Sequence, residues 1–410
     1  VVKEWQKMNI LYILQQSIYN KNKKWISSDS NIQMMRGILS ELIEKTDWNF
    51  YVLIAELENF ADIKDYKEIF DNERVHFIPY KFPVDAFLLR QHFNTTEFDL
   101  LFRYGLPKID IIWNNIAEIS RNIKTYLKFN VKDNIKLITC CYWLDTPMIK
   151  GQNKVDIDIS YDWRQFDGFE CSDLCVFTCK STFNAFLNNA KLKFNNKFIK
   201  KIANKSTIWD FGYSIKELNQ YKVSNVFEKP TIMFLNRLSE INYTKHMEFI
   251  KAINRLAKKR SDFQVVFTNP SMKVDFEELN KSVSNIFLYS TKPLNREQYI
   301  KLLWGGVISV HLYTKELYGG CASREAIECN NIIVTPKVFE YRQILGENYP
   351  FYVKPGISEE YKDLDKILNK ALDGYKNFIK SNKFKQILER NRNSSFEKIS
   401  NRVIKDIKGL

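Results

Sequence analysis

Histidine is scarce in this chain, and glycine and proline are sparse: four, thirteen and ten among 410 residues. So few, scattered histidines argue against a histidine-ligated metal centre and against a Ser-His-Asp triad. No glycine-rich loop follows the first strand-like run. "LQQSIYNKNKKWISSDSN" stands there instead, and its length predicts a mobile loop over 15–31. No run reaches about 18 uncharged apolar residues, so no transmembrane helix is expected. "VVKEWQKMNILYIL" lacks the apolar helical core and small-residue cleavage site of a signal peptide. Met8 reads as the natural start, with residues 1–7 an extension ahead of it. The seven cysteines are odd in number and two are adjacent, Cys140 and Cys141, which fits reduced thiols in a cytoplasm. Cys171, Cys175 and Cys179 recur every fourth residue, yet "LCVFTC" reads as a buried strand, where that spacing does not converge three sulfurs. Core thiols are the better reading.

What is present points to a large folded molecule. Hydrophobic residues make up 45% and aromatics 14%, enough for two cores, and the length suits two domains. The net charge is +14. "NNAKLKFNNKFIKKIANKS" (188–206) holds six lysines and no acid, and the tail 376–408 is again basic. Such density favours a polyanionic partner, nucleic acid or an anionic membrane face, against the plainer reading of a solvated lysine-rich surface.

Strand-like runs alternate with amphipathic helix-length segments. In the first half, strands are predicted at Met8–Leu14, Asn49–Leu57, Val75–Tyr80, Phe98–Tyr104, 135–144, Leu174–Thr178 and Thr207–Phe211. Helices are predicted over Ser30–Thr46, in the later part of Ile109–Phe129, and within 181–203. "ELNQYKVSNVFEKP" (217–230) is polar and ends on a proline, and reads as a linker between a domain at 8–216 and another at 231–380. The alternation then restarts: strands at 231–235, Phe263–Thr268, 286–290, Val307–Leu312 and 332–335, with helices at 244–259, 275–281, 296–304 and Ser323–Cys329. Basic helices at 381–410 are expected to pack back on the first domain. The fold class is α/β, two doubly wound parallel-sheet, Rossmann-like domains facing a cleft at the carboxyl ends of the strands.

That rule turns strand ends into candidate sites. Arg237 lies just past the first strand of the second domain and Lys245 begins the next helix, a natural clamp for a diphosphate; two surface cations are the plainer reading. In "ELYGGCASREAIECNNIIVTP" (316–336), Gly319 and Gly320 allow close backbone approach to an anion, and Ser323 is placed to cap a helix carrying Arg324 and Glu325. The Glu325 carboxylate could accept both hydroxyls of a ribose.

"IMFLNRLSEINYTKHMEFI" and "KELYGGCASREAIECNNIIVTP" resemble the donor-binding half of the GT-B retaining glycosyltransferases, over residues 231–340. The resemblance implies that Arg237 and Lys245 grip the diphosphate of a UDP-sugar, that Glu325 binds the ribose, and that Glu316 matches an earlier glutamate of the family. Glu316 and Glu325 are nine positions apart, one more than the usual pattern, with "CAS" in place of its prolines and leucine. "ITCCYWLDTP" ends a strand on Asp145. The retaining phage DNA glucosyltransferases carry an Asp in a comparable place beside the sugar, though their adjacent His is Leu144 here; capping of the next turn is the alternative. By that likeness Asp145 is the catalytic candidate. Arg103, Asn114, Lys191, Lys193, Lys197, Lys200 and Lys201 are acceptor-side candidates. The Asp156-Ile-Asp158 pair is set aside, because the repeated halves fit the two-domain class rather than the metal-binding one. The implied chemistry is transfer of a sugar, glucose first, without a tightly bound cofactor or a required divalent metal. The implied acceptor is a hydroxymethylated pyrimidine in double-stranded DNA, in a virus-encoded, cytoplasmic setting. The alternatives are a cell-envelope glycan or lipid-linked acceptor, with the lysines on an anionic membrane surface, and a non-catalytic nucleic-acid-binding protein on a degenerate transferase fold.

Overall fold

The computed structural model describes residues 7–14, 30–55, 63–81, 93–131, 133–141, 159–224, 226–235, 245–268, 287–290, 294–312, 320–355 and 361–410. The chain divides into two compact units, Val1–Gly212 with Phe396–Leu410, and Tyr213–Ser395.

The first unit holds a seven-stranded sheet in the order β3-β2-β1-β4-β5-β6-β7. Its elements run β1 (Asn9–Ile13), α1 (Ser30–Lys45), β2 (Asn49–Ala55), α2 (Ile63–Ile69), β3 (Val75–Tyr80), α3 (Thr95–Leu100), β4 (Ile111–Asn114), α4 (Ser120–Asn130), β5 (Lys136–Cys141), α5 (Ile159–Cys171), β6 (Leu174–Phe177), α6 (Lys180–Lys191), α7 (Asn196–Asn204) and β7 (Ser206–Ile208). Every ladder is parallel. The central β4, Ile-Ile-Trp-Asn, is buried at all its positions, as a strand covered on both faces must be. The chain adds β2 and β3 on one side of β1, then returns to add β4 to β7 on the other. The reversal puts a switch point between β1 and β4, the place where such sheets open a crevice at their carboxyl ends.

The second unit repeats the plan with six strands in the order β10-β9-β8-β11-β12-β13. Its elements are α8 (Ile215–Gln220), β8 (Thr231–Phe234), α9 (His246–Ala257), β9 (Gln264–Thr268), β10 (Phe287–Ser290), α10 (Arg296–Gly305), β11 (Ile308–Val310), α11 (Gly320–Glu328), β12 (Ile332–Pro336), α12 (Phe339–Leu345), β13 (Tyr352–Val353), α13 (Leu364–Lys380) and α14 (Asn382–Arg392). These ladders are parallel too, and here the reversal falls between β8 and β11. One core joins β8, β9, β11 and β12 to α9, α11 and α13.

The last helix, α15 (Phe396–Lys408), belongs to the first unit. Phe396 is buried against Gly37 of α1, where an added Cβ would sit 2.0 Å from the ring, so only glycine admits it. Lys45 of α1 fixes the register by donating to Ser400 Oγ at 2.7 Å and to the Glu397 carbonyl at 2.9 Å. The helices read from the sequence as one basic pair at 381–410 thus divide, α14 staying in the second unit. The stretch 217–230 also lies inside the second unit. Leu218 of α8 is wholly buried in its core, and the Leu218 carbonyl accepts from Trp304 Nε1 at 2.7 Å.

One predicted strand is corrected. Phe98–Tyr104 is helical, α3 running into a π-helical turn over Leu101–Gly105. Asn94 caps α3 by accepting from the Glu97 amide, and only Phe98 of the helix is buried, so the segment has a helix's single apolar contact line. Among the described residues no helix is long and apolar enough to cross a membrane.

Candidate functional site

The helix α11 leaves the carboxyl end of β11, next to β8 in the sheet, and begins on Gly320 at φ +67°. A Cβ there would meet no atom within 4 Å, so the described surroundings of this helix start are open. The helix stops by similar means: Asn330 takes φ 64°, and the Asn331 amide reaches back to the Ala326 carbonyl at 2.9 Å, closing the end as a Schellman turn does. The short run Gly320–Glu328 is thereby fixed at both ends.

Three buried charges leave this helix in different directions. Arg324 pairs with Glu340 of α12, both almost fully enclosed. Glu328 accepts from the Arg392 guanidinium at 2.7 Å and from Tyr213 Oη at 3.0 Å. Glu325, 4% exposed, accepts from Arg296 at 2.5 Å. Arg296, at the first turn of α10, also donates to Glu217 of α8 at 2.7 Å. Burial works against its charge, but the Glu325 and Glu217 carboxylates outweigh it and hold the guanidinium above its ordinary pKa. Burial, reinforced by Glu325, likewise keeps the Tyr299 phenol neutral. One guanidinium between two carboxylates fixes the orientation of Glu325 while leaving lone pairs on it for other donors.

Lys245 heads α9 at the other side of the same switch point, following β8. Its backbone is left-handed, φ 59° and ψ 36°, which costs a non-glycine residue about 1 kcal/mol or more. Strain of this kind gathers where a site requires it. Behind it, His246 is buried and burial lowers its pKa. His311, the residue after β11, is buried with Nε2 2.9 Å from Ser309 Oγ, and burial lowers its pKa to about 4.

Lys245, Gly320, Ser323 and Glu325 thus fall at the carboxyl-end switch point of one sheet. Asp145, Arg237, Glu316 and Gly319 lie outside the described residues, as do Asp156 and Asp158. Ser323 does not cap: the helix starts three residues earlier, and Ser323 Oγ donates to the Gly320 carbonyl at 3.1 Å. In the first unit Asn114 ends β4, but its side chain is wholly buried and donates to the Ile116 carbonyl at 2.7 Å and to Ser120 Oγ at 2.8 Å. It holds the turn into α4. Arg103 precedes β4 instead of following a strand, because its segment is helical, and pairs with Asp99 at 2.8 Å. Of the lysines, Lys191, Lys197 and Lys200 are exposed, Lys201 pairs with Glu170, and Lys193 lies over the Trp163 and Phe166 rings at 5.4 and 5.3 Å. Cys171, Cys175 and Cys179 each find a separate partner: the Gly168 carbonyl, the Phe169 carbonyl and the Thr182 amide. Among the described residues no cluster of three or more metal-ligating side chains occurs.

Sequence reasoning missed Arg296, Glu217, Tyr299 and His311. The capping pair Asn295 and Gln298 marks the start of α10 and so the place of Arg296, but nothing local says that it reaches residue 325.

No protein-family model and no curated protein matches the sequence. Solved structures do match the fold over nearly the whole chain. The Anabaena protein HepE in complex with UDP-glucose is 13% identical at a TM-score of 0.67, covering 98% of this chain and 100% of that one. Sucrose-phosphate synthase from Thermosynechococcus elongatus is 13% identical at 0.69, covering 98% and 99%. A glycosyltransferase from Rickettsia africae is 14% identical at 0.64, covering 99% of each. At such identities the likeness speaks to architecture, and with the two parallel sheets it establishes an α/β fold of two Rossmann-like domains, of the GT-B type.

Proposed function

We propose that this protein is a glycosyltransferase that moves a sugar, glucose first among candidates, from a UDP-sugar to a hydroxyl acceptor. One observation carries the reading: at the β8/β11 switch point, two helices start on left-handed residues, Lys245 and Gly320, beside a held carboxylate. Helix starts offer unpaired amides and positive dipole ends to an anion. The fold neighbour HepE, whose structure is a complex with UDP-glucose, adds support.

In this reading Lys245 and Arg237 hold the diphosphate, with the amides of Gly319 and Gly320 against its oxygens. Glu325 accepts the ribose hydroxyls with the lone pairs that Arg296 leaves, and Glu316 is assigned to the sugar by its resemblance alone. As the glycosidic C–O bond lengthens, its electron pair goes to the departing phosphate oxygen. Fixed cations stabilise that charge, so a divalent metal is not required. The anomeric carbon becomes oxocarbenium-like, a charge that the Asp145 carboxylate is assigned to favour. The acceptor oxygen bonds to it with retained configuration, and the acceptor hydroxyl's proton passes to the departing phosphate oxygen.

Two acceptors fit. The exposed Lys191, Lys197 and Lys200 support duplex DNA with hydroxymethylated pyrimidines, held by phosphate contacts with the base flipped out, in a phage-encoded cytoplasmic enzyme. Leu192, exposed between Lys191 and Lys193, favours instead a cell-envelope glycan or lipid-linked acceptor met at a membrane. The test is transfer of label from a panel of UDP-sugars to modified DNA, plain DNA and lipid-linked glycans, with and without a chelator. Lys245→Ala is expected to lower kcat/KM by about 100-fold or more, and Glu325→Ala to raise the KM for donor. Unchanged transfer by both variants would refute the donor-site assignment.

A further inference from the structure

The α6–α7 corner of the first unit combines exposed apolar side chains with exposed lysines. Leu192, the residue after α6, is 84% exposed, and Trp163 of α5 is 47% exposed. Between them the rings of Phe194 and Phe198 stack at 4.2 Å, and Phe194 meets Trp163 edge-on at 5.2 Å. Lys193 lies over Trp163, while Lys191 at the end of α6 and Lys197 and Lys200 in α7 are exposed. Helix α7 buries Ile199 and Ile202 inward and turns its lysines outward.

We propose that this corner docks on an anionic lipid bilayer, Leu192 and the Trp163 edge entering the headgroup–acyl boundary while the lysines meet lipid phosphates. The argument is the combination. Lysines alone would serve any polyanion, and a duplex backbone offers phosphates but no apolar layer for a leucine this exposed. A tryptophan edge beside lysines is the composition of a membrane interface. Part of the basic segment is already committed within the fold: Lys201 pairs with Glu170, and Lys205 donates to the Glu170 and Ser172 carbonyls. Lys191, Lys197 and Lys200 are left exposed, within eight residues of Leu192 along the chain.

Docking on a bilayer needs neither donor nor acceptor, so it is tested without them. The full-length protein is sedimented with vesicles of phosphatidylcholine alone, with vesicles containing phosphatidylglycerol, and separately with unmodified duplex DNA. Binding is expected only with the anionic vesicles. Leu192→Asp, at a position too exposed to affect folding, is expected to weaken it about tenfold or more, and Lys197→Glu with Lys200→Glu at least tenfold, from roughly fivefold per lysine removed. Anionic-vesicle binding that Leu192→Asp leaves unchanged, or retention by DNA and not by vesicles, would overturn the proposal in favour of a polyanion-binding face. Absence of vesicle binding would overturn it too, while leaving the sugar-transfer reading to its own assay.

Discussion

At the β1/β4 reversal of the first sheet the strand ends on two buried asparagines, Asn114 and Asn115. At the β8/β11 reversal of the second, the corresponding places hold a helix headed by Lys245, the buried His311 and a helix with three buried charges. The hydrogen-bonded chain that starts at Asn114 is neutral, and the buried Glu118 beside it accepts from the neutral Gln165 amide at 2.9 Å. Asn114 leads to Ser120, Ser120 lies 2.7 Å from Thr139, Thr139 meets Ser172 at 2.5 Å, and Ser172 donates to the Gly168 carbonyl. The second consists of ion pairs, Arg324 with Glu340, Arg296 with Glu325 and Glu217, Arg392 with Glu328. Equivalent topology therefore supports two kinds of interior. A neutral chain fixes register at little risk. A charged one is stable only while every partner is present, and it supplies an oriented field, which the proposed donor site would use.

The sharpest way to break this contrast is to remove one buried charge. Arg324→Met removes the cation that faces the enclosed Glu340 carboxylate, and is expected to cost about 3–5 kcal/mol of stability in the second unit. The double variant Arg324→Met with Glu340→Leu should recover most of it, since two apolar side chains of similar volume need no mutual compensation. Urea unfolding with hydrogen exchange resolved to α11 and α12 would measure both. A loss below about 1 kcal/mol for the single variant would mean the pair is not enclosed as described.

These charges show how far the sequence alone could be read. Continuous apolar runs such as Ile-Ile-Trp-Asn and Ile-Ile-Val-Thr-Pro announce strands buried on both faces, and the restart after Pro230 announces a second sheet. That Lys245 and Gly320 stand at helix starts following strands was legible because this needs only the order of elements. Phe98–Tyr104 was misread because seven residues, Phe-Asp-Leu-Leu-Phe-Arg-Tyr, are too few to separate the helical from the strand period, although Asn94 three residues before Glu97 was a usable helix-start signal. The partners of Glu325 were not legible. Arg296 and Glu217 stand 29 and 108 residues away along the chain, and only the folded sheet brings them together.

The second prediction uses pH, to which the neutral chain is blind. Burial depresses His311 from 6.5 to about 4, so between those values the unfolded chain takes up a proton that the folded one refuses. The His311 contribution is complete above pH 6.5, declines as pH falls toward 4, and is lost below it. The difference converts to about 3 kcal/mol. His246, also lowered by burial, acts in the same direction. Stability of the second unit measured from pH 7.5 to 4.5 should fall, and His311→Gln should flatten the decline. A variant with an unaltered slope would remove His311 from the account.

The smallest effect is expected in the first unit, and it sets the other limit of the comparison. Thr139→Val keeps the shape and the β-branched backbone preference of the strand and removes one hydroxyl from the middle of the chain. Ser120 still receives Asn114, and Ser172 still donates to Gly168, so neither end is left without a partner. The cost should be about 1 kcal/mol, the net value of an exchanged hydrogen bond and not of a stranded charge. Because no group in the chain titrates near neutrality, that cost should be the same at pH 5.5 and pH 7.5. A loss of about 3 kcal/mol, or one that grows on acidification, would show that the first switch point also works by charge, and the chemical division between the two sheets would fail.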